Sequence, residues 1–133
     1  MHKIEHIGIA VKNLDDSESL FSKLLGSESY KREEVESEAV ITSFFKNGPN
    51  KIELIAPLGD HSPLARSIEK RGEGIHHIAF AVSDIRREMK RLKSEGFTLL
   101  NEEPKRGADN KLVCFIHPKS ANGVLIELCE EIY

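Results

Sequence analysis

Several shortages limit what this chain can be. No apolar run approaches the length needed to span a bilayer. The N-terminus places Lys3 and Glu5 where a signal peptide needs an apolar core, so a cytoplasmic location is expected. Positive charge is not in excess. The net charge of −3 excludes a general attraction to nucleic acid or anionic membrane, and any anionic partner must find a local basic patch. The only cysteines, Cys114 and Cys129, sit in apolar strand patterns and are expected to be reduced, buried and unbridged. Tryptophan is absent and aromatics are 6% of the chain, but 39% hydrophobic and 31% charged residues make a globular composition. There is no low-complexity tract and no linker long enough to separate domains, so the 133 residues read as one domain, 1–133.

What the chain does have is a repeat. Gly74 to Val82 reads Gly-Ile-His-His-Ile-Ala-Phe-Ala-Val, and Lys3 to Val11 reads Lys-Ile-Glu-His-Ile-Gly-Ile-Ala-Val. His6 matches His77, 71 positions later, and Ala10 and Val11 match Ala81 and Val82. Two copies of one supersecondary unit follow, a pseudo-twofold pair rather than a solenoid. Side chains alternate along a strand. One face carries Ile7, Ile9 and Val11, echoed by Ile78, Phe80 and Val82, and suits a helix. The other carries His6, Gly8 and Ala10, echoed by His77, Ala79 and Ala81. A lone strand histidine is ordinarily a satisfied polar group. Two at equivalent places, each followed by small residues that leave space, point to a site.

Each unit reads βαβββ. After the first strand, a helix runs from Asn13 to Gly26 with Leu14, Leu20, Phe21 and Leu24 as its apolar stripe. Ser29 to Val35 is a charged edge strand and Ala39 to Phe45 an apolar one. Asn47-Gly48-Pro49-Asn50 is a turn, and Lys51 to Pro57 completes the unit, residues 3–57. A connector over 58–73 holds a short helix begun by Ser62-Pro63. The second unit, 74–131, has a strand Ile75 to Val82 and a helix from Ser83 or Asp84 to Glu95. An edge strand Phe97 to Asn101, a charged loop Glu102 to Lys111, and strands Leu112 to His117 and Val124 to Glu130 follow.

The final strands echo each other too. Ile52-Glu53-Leu54 recurs as Ile126-Glu127-Leu128. Each glutamate alternates against large apolar neighbours and so points away from a helix-packed face. A carboxylate in such a strand is costly to bury unless paired or bound to metal. Two histidines and two glutamates suit a divalent cation of borderline or hard character. Four protein ligands would leave two octahedral positions for substrate chelation and Lewis-acid catalysis, unlike a closed, thiolate-rich structural zinc site.

On these residues the chain is similar, over essentially its whole length, to the vicinal oxygen chelate (glyoxalase/bleomycin resistance/dioxygenase) superfamily. Within it, the chain resembles the methylmalonyl-CoA epimerase family. The carrying segments are Glu5 to Val11, Lys51 to Leu54, Ser62-Pro63, Gly72 to Phe80, Glu103-Pro104, and above all His117-Pro118-Lys119-Ser120 with Gly123 to Leu128. The resemblance implies an α+β fold in which the two tandem βαβββ units form a cupped, pseudo-twofold mixed sheet around a metal. It implies ligation by His6, His77 and Glu127 with Glu53 as fourth ligand, where some relatives carry Gln. His76 would not be a ligand. The metal would be cobalt first, with nickel, manganese or zinc open.

The implied reaction is epimerisation of (R)- and (S)-methylmalonyl-CoA by removal of the C2 proton through a metal-stabilised enolate. Glu127 would be one base. For the other, Thr42 stands where some relatives have Glu, which leaves Glu53 or a metal-bound water. Coenzyme A is polyanionic, and Lys105, Arg106, Lys111, Lys119 and Ser120 are the expected contacts, although a solvated charged loop would look the same. A homodimer is implied, with no nucleic acid or membrane partner. The rival readings are a glyoxalase I-like lactoylglutathione lyase and a drug-sequestering binding member of the same superfamily.

Overall fold

The structure is a computed structural model and describes residues 1–133. Its elements in chain order are β1 (Lys3–Ala10), α1 (Leu14–Leu25), β2 (Lys31–Val35), β3 (Val40–Asn47), β4 (Asn50–Pro57), α2 (Pro63–Arg71), β5 (Gly74–Ala81), α3 (Ile85–Ser94), β6 (Lys105–Gly107), β7 (Lys111–Ile116) and β8 (Ile126–Glu131). Two 3-10 turns, Glu36–Glu38 and Pro118–Ala121, lie between them. The fold is α+β. Its eight strands form one mixed sheet in the order β2-β3-β4-β1-β5-β8-β7-β6, with β5 and β8 parallel and the pairs β2-β3, β3-β4, β6-β7 and β7-β8 antiparallel. No helix is long and apolar enough to cross a membrane.

The helices begin and end where their caps dictate. The Asn13 side chain accepts from the Asp16 amide, Ser62 from Ala65 and Asp84 from Arg87, each satisfying an amide left unpaired in a first turn. Gly26 stops α1 with φ of 70°, a left-handed conformation that costs glycine nothing.

The chain divides into two compact units, Ile7–His76 and Met1–His6 with His77–Tyr133. In the first, Leu14, Phe21 and Leu25 of α1 pack with Phe45, Leu54 and Ala56, while Leu64 and Ile68 of α2 pack with Ala10 and Ile55. The even-numbered residues of β4 thus meet α1, and Glu53 and Ile55 alternate away from it. In the second unit Ile85, Met89 and Leu92 of α3 pack on Cys114, Ile116 and Leu128. The opposite face of these strands carries Ala79, Val113, Phe115 and Cys129. Glu127 alternates with Leu128, so it leaves the α3 side. β1 is shared at its middle, and its His6 belongs with the strands of the second repeat.

Two expectations fail. Leu20 and Leu24 are not core residues of α1; they are 58% and 69% exposed. At about 100° per residue, the positions seven and eleven places after Leu14 lie within about 20° of it, and these are Phe21 and Leu25, whereas positions 20 and 24 lie about 120° and 80° away. Likewise Phe97 to Asn101 makes only an isolated bridge, Leu99 to Ile116, and the edge strand is β6, inside the expected loop. Backbone bonds from Leu100 to Phe115 and from His117 to Thr98 hold the segment beside β7 without forming a ladder.

Candidate metal centre

Three side chains converge in the second unit. His6 comes from β1, His77 from β5 and Glu127 from β8. All three are buried, at 4%, 4% and 7% exposure, and their ligand atoms lie within 4.8 Å of one another. The parallel pairing of β5 with β8 sets Ala79 beside Glu127, and Phe115 lies opposite it on β7. Ala79 is fully buried and packs with Val113, Cys129 and Phe115. The Phe115 ring stands edge-on to His77 at 6.1 Å and walls one side.

The geometry is that of donors sharing one centre. His6 Nε2 and His77 Nε2 are 3.0 Å apart, with the rings at 86°. Glu127 Oε1 lies 3.3 Å from His6 Nε2 and 3.0 Å from His77 Nε2. Ligand atoms about 2.1 Å from a cation at right angles lie about 3.0 Å apart. Two imidazoles and a carboxylate are also the donor chemistry of a borderline divalent ion. The residues present therefore fit a metal ion. Burial by itself would raise the Glu127 carboxyl, but the His6 and His77 imidazoles beside Oε1 more than reverse this and hold it well below the usual carboxylate range.

Two neighbours escape a reading of the repeat. The Cys129 thiol donates to Glu127 Oε2 at 3.4 Å; it sits two residues on along β8, on the same face. Glu5 Oε1 lies 3.3 Å from His6 Nδ1, buried like its partner. Neither has an echo in the other copy, where Ile55 and His76 stand at the matching places. From sequence, Cys129 reads only as a small buried hydrophobe.

The remaining expected residues lie as follows. Glu53 is buried on β4, opposite Phe44 of β3. Thr42 is buried, and its hydroxyl donates to the Glu33 carbonyl. Lys111 is buried with its ammonium 3.4 Å from Glu131, so its charge is met within the fold. Lys105 lies 6.0 Å over the Phe115 ring, and Arg106 donates to Asn110. Lys119 is exposed on the 3-10 turn, and the Ser120 hydroxyl accepts from the Thr98 amide.

A profile of the Glyoxalase/Bleomycin resistance protein/Dioxygenase superfamily matches residues 5–115. The chain belongs to that superfamily. Within the superfamily it is 40% identical, over 95% of its own length and 96% of the relative's, to the ethylmalonyl-CoA/methylmalonyl-CoA epimerase of Cereibacter sphaeroides. The crystal structure of a hypothetical protein from Bacillus halodurans superposes with a TM-score of 0.95 at 42% identity, covering 98% and 95% of the two chains. A methylmalonyl-CoA epimerase in complex with methylmalonyl-CoA and ammonium superposes at 0.93 and 32% identity, covering 97% and 94%. The superfamily members with a stated activity among these are epimerases, which are isomerases.

Proposed function

We propose that this chain is a metal-dependent methylmalonyl-CoA epimerase. The observation that carries the reading is the convergence of His6 Nε2, His77 Nε2 and Glu127 Oε1 at 3.0 to 3.3 Å in a chain similar to epimerases along nearly its whole length. Glu53 is proposed as the fourth ligand on the strength of the sequence repeat. Cobalt is the proposed ion, since two imidazoles and two carboxylates form a borderline donor set.

The C2 proton of the substrate lies between a carboxylate and a thioester carbonyl, and both acidify it. The bound cation would supply Lewis-acid stabilisation of the charge that develops on oxygen as this proton leaves. Everything else falls to side chains. Inverting the centre needs proton removal on one face and return on the other, which calls for two acid–base groups. Glu127 is the proposed first base. It is ionised, hence in acceptor form, but Oε1 is engaged by the imidazoles and Oε2 by the Cys129 thiol. To take a proton it must give up one of these contacts. Glu53, the other buried carboxyl of the repeat, is the proposed second. Thr42 is unsuitable, being a hydroxyl already spent on a backbone carbonyl.

Coenzyme A needs local positive charge. Lys105, Arg106 and Lys119, with Ser120, are the proposed phosphate contacts, and Lys111 is left out because it pairs with Glu131. The assembly is proposed to be a homodimer in the cytoplasm.

The test is to give one epimer of methylmalonyl-CoA, and separately of ethylmalonyl-CoA, to chelated protein and to protein reloaded with cobalt. Loss of optical purity with the reloaded protein alone is expected. Retention of both epimers, with turnover of the hemithioacetal of methylglyoxal and glutathione instead, would replace the epimerase reading with a lyase.

A further inference from the structure

We propose that Glu5 is the positioning residue of the cation site, holding the His6 ring so that its Nε2 lone pair faces the converging donors; this rests on the cation-site reading above. Glu5 and His6 are both buried, with side-chain exposures of 7% and 6%, and Glu5 Oε1 lies 3.3 Å from His6 Nδ1. An ionised carboxylate only accepts. A cation at the converging donors would take the Nε2 lone pair, which leaves the one hydrogen of the neutral ring on Nδ1, donated to Glu5. Nε2 is the atom 3.0 Å from His77 Nε2 and 3.3 Å from Glu127 Oε1.

The alternative tautomer shows what is at stake. With the hydrogen on Nε2, His6 would aim a donor at the centre, and a cation there would meet a proton instead of a lone pair. Nδ1 would also point its own lone pair at a buried carboxylate, and two acceptors face to face are repulsive. A carboxylate behind a ligating imidazole fixes the tautomer and raises the ring's basicity toward metal.

Nothing in the repeat foretells this role. The residue before His77 is His76, not a carboxylate. The role also gives the first strand a reason to carry an acid at a buried position.

The experiment is cobalt affinity by titration calorimetry, with the visible absorption of bound cobalt, for wild type, Glu5→Gln and Glu5→Ala. The expected result is a loss of about 10- to 100-fold in affinity for Glu5→Ala, a smaller loss for Glu5→Gln, which keeps an acceptor oxygen, and an altered cobalt spectrum for the alanine variant. A purely structural carboxylate would lower the melting temperature and leave spectrum and affinity unchanged in the folded fraction; that result overturns the proposal while the cation site stands. A wild type that takes no cobalt overturns the cation-site reading and this role with it. Should Glu5→Ala not fold, nitrogen-15 NMR of the wild type loaded with diamagnetic zinc decides. Zinc on His6 Nε2 with the hydrogen on Nδ1 supports the role, and zinc on Nδ1 overturns it.

Discussion

The two oxygens of Glu127 have separate surroundings, imidazoles on Oε1 and a thiol on Oε2. Because the folded carboxyl sits below the usual range, the unfolded chain binds its proton first as pH falls. Its contribution to stability is complete above the ordinary carboxylate range, near ~4.3, and is lost as pH drops through the lower folded value. In metal-free protein, the melting temperature of wild type minus that of Glu127→Gln should therefore fall between about pH 7 and about pH 3; a difference that grows on acidification would contradict the assignment. The cysteines make a second check. Both are buried, and burial pushes the Cys114 thiol up, with a smaller opposing effect from the Asn101 backbone, so iodoacetamide should label the native protein far more slowly than the unfolded chain. At this scale the histidines and Glu127 were readable because they repeat. Glu5 and Cys129 were not, since a residue that acts through a ligand leaves no periodic trace.

Among elements, α1 shows where pattern reading stops. Its ends were readable from Asn13 and Gly26, whose chemistry is local. Its buried face was not, because four apolar residues admit more than one stripe and the packing partners Phe45 and Leu54 are distant in sequence. Leu20→Ser should change stability by less than about 0.5 kcal/mol, while Leu128→Ala, which empties a fully buried place under α3, should cost about 2–5 kcal/mol. Urea unfolding of the two variants distinguishes them, and comparable losses would contradict the placement of α1. The segment Phe97 to Asn101 failed for a related reason. Alternating apolar residues mark a half-buried chain, but ladder formation depends on a neighbour, and β7 pairs instead with β6.

For the whole chain, the repeat made the element order and the α+β class visible from sequence. It did not reveal that, while the rest of β1 from Ile7 falls in one compact unit, His6 falls in the other with His77 and Glu127. A cation bound there ties the N-terminal strand to β5 and β8, so the folded state alone should bind it. At a cobalt concentration about 100 times its dissociation constant, stability should rise by about 2.7 kcal/mol, seen as a higher melting temperature that chelator reverses and that His77→Ala abolishes.

The most direct test of the central claim is proton NMR in deuterium oxide with one epimer of methylmalonyl-CoA. Cobalt-loaded wild type is predicted to exchange the C2 proton for deuterium with loss of chirality, while the chelated protein and cobalt-supplied Glu127→Gln leave it in place. Equal exchange by chelated and loaded protein, or none by either, would contradict a cation-dependent epimerase built on His6, His77 and Glu127.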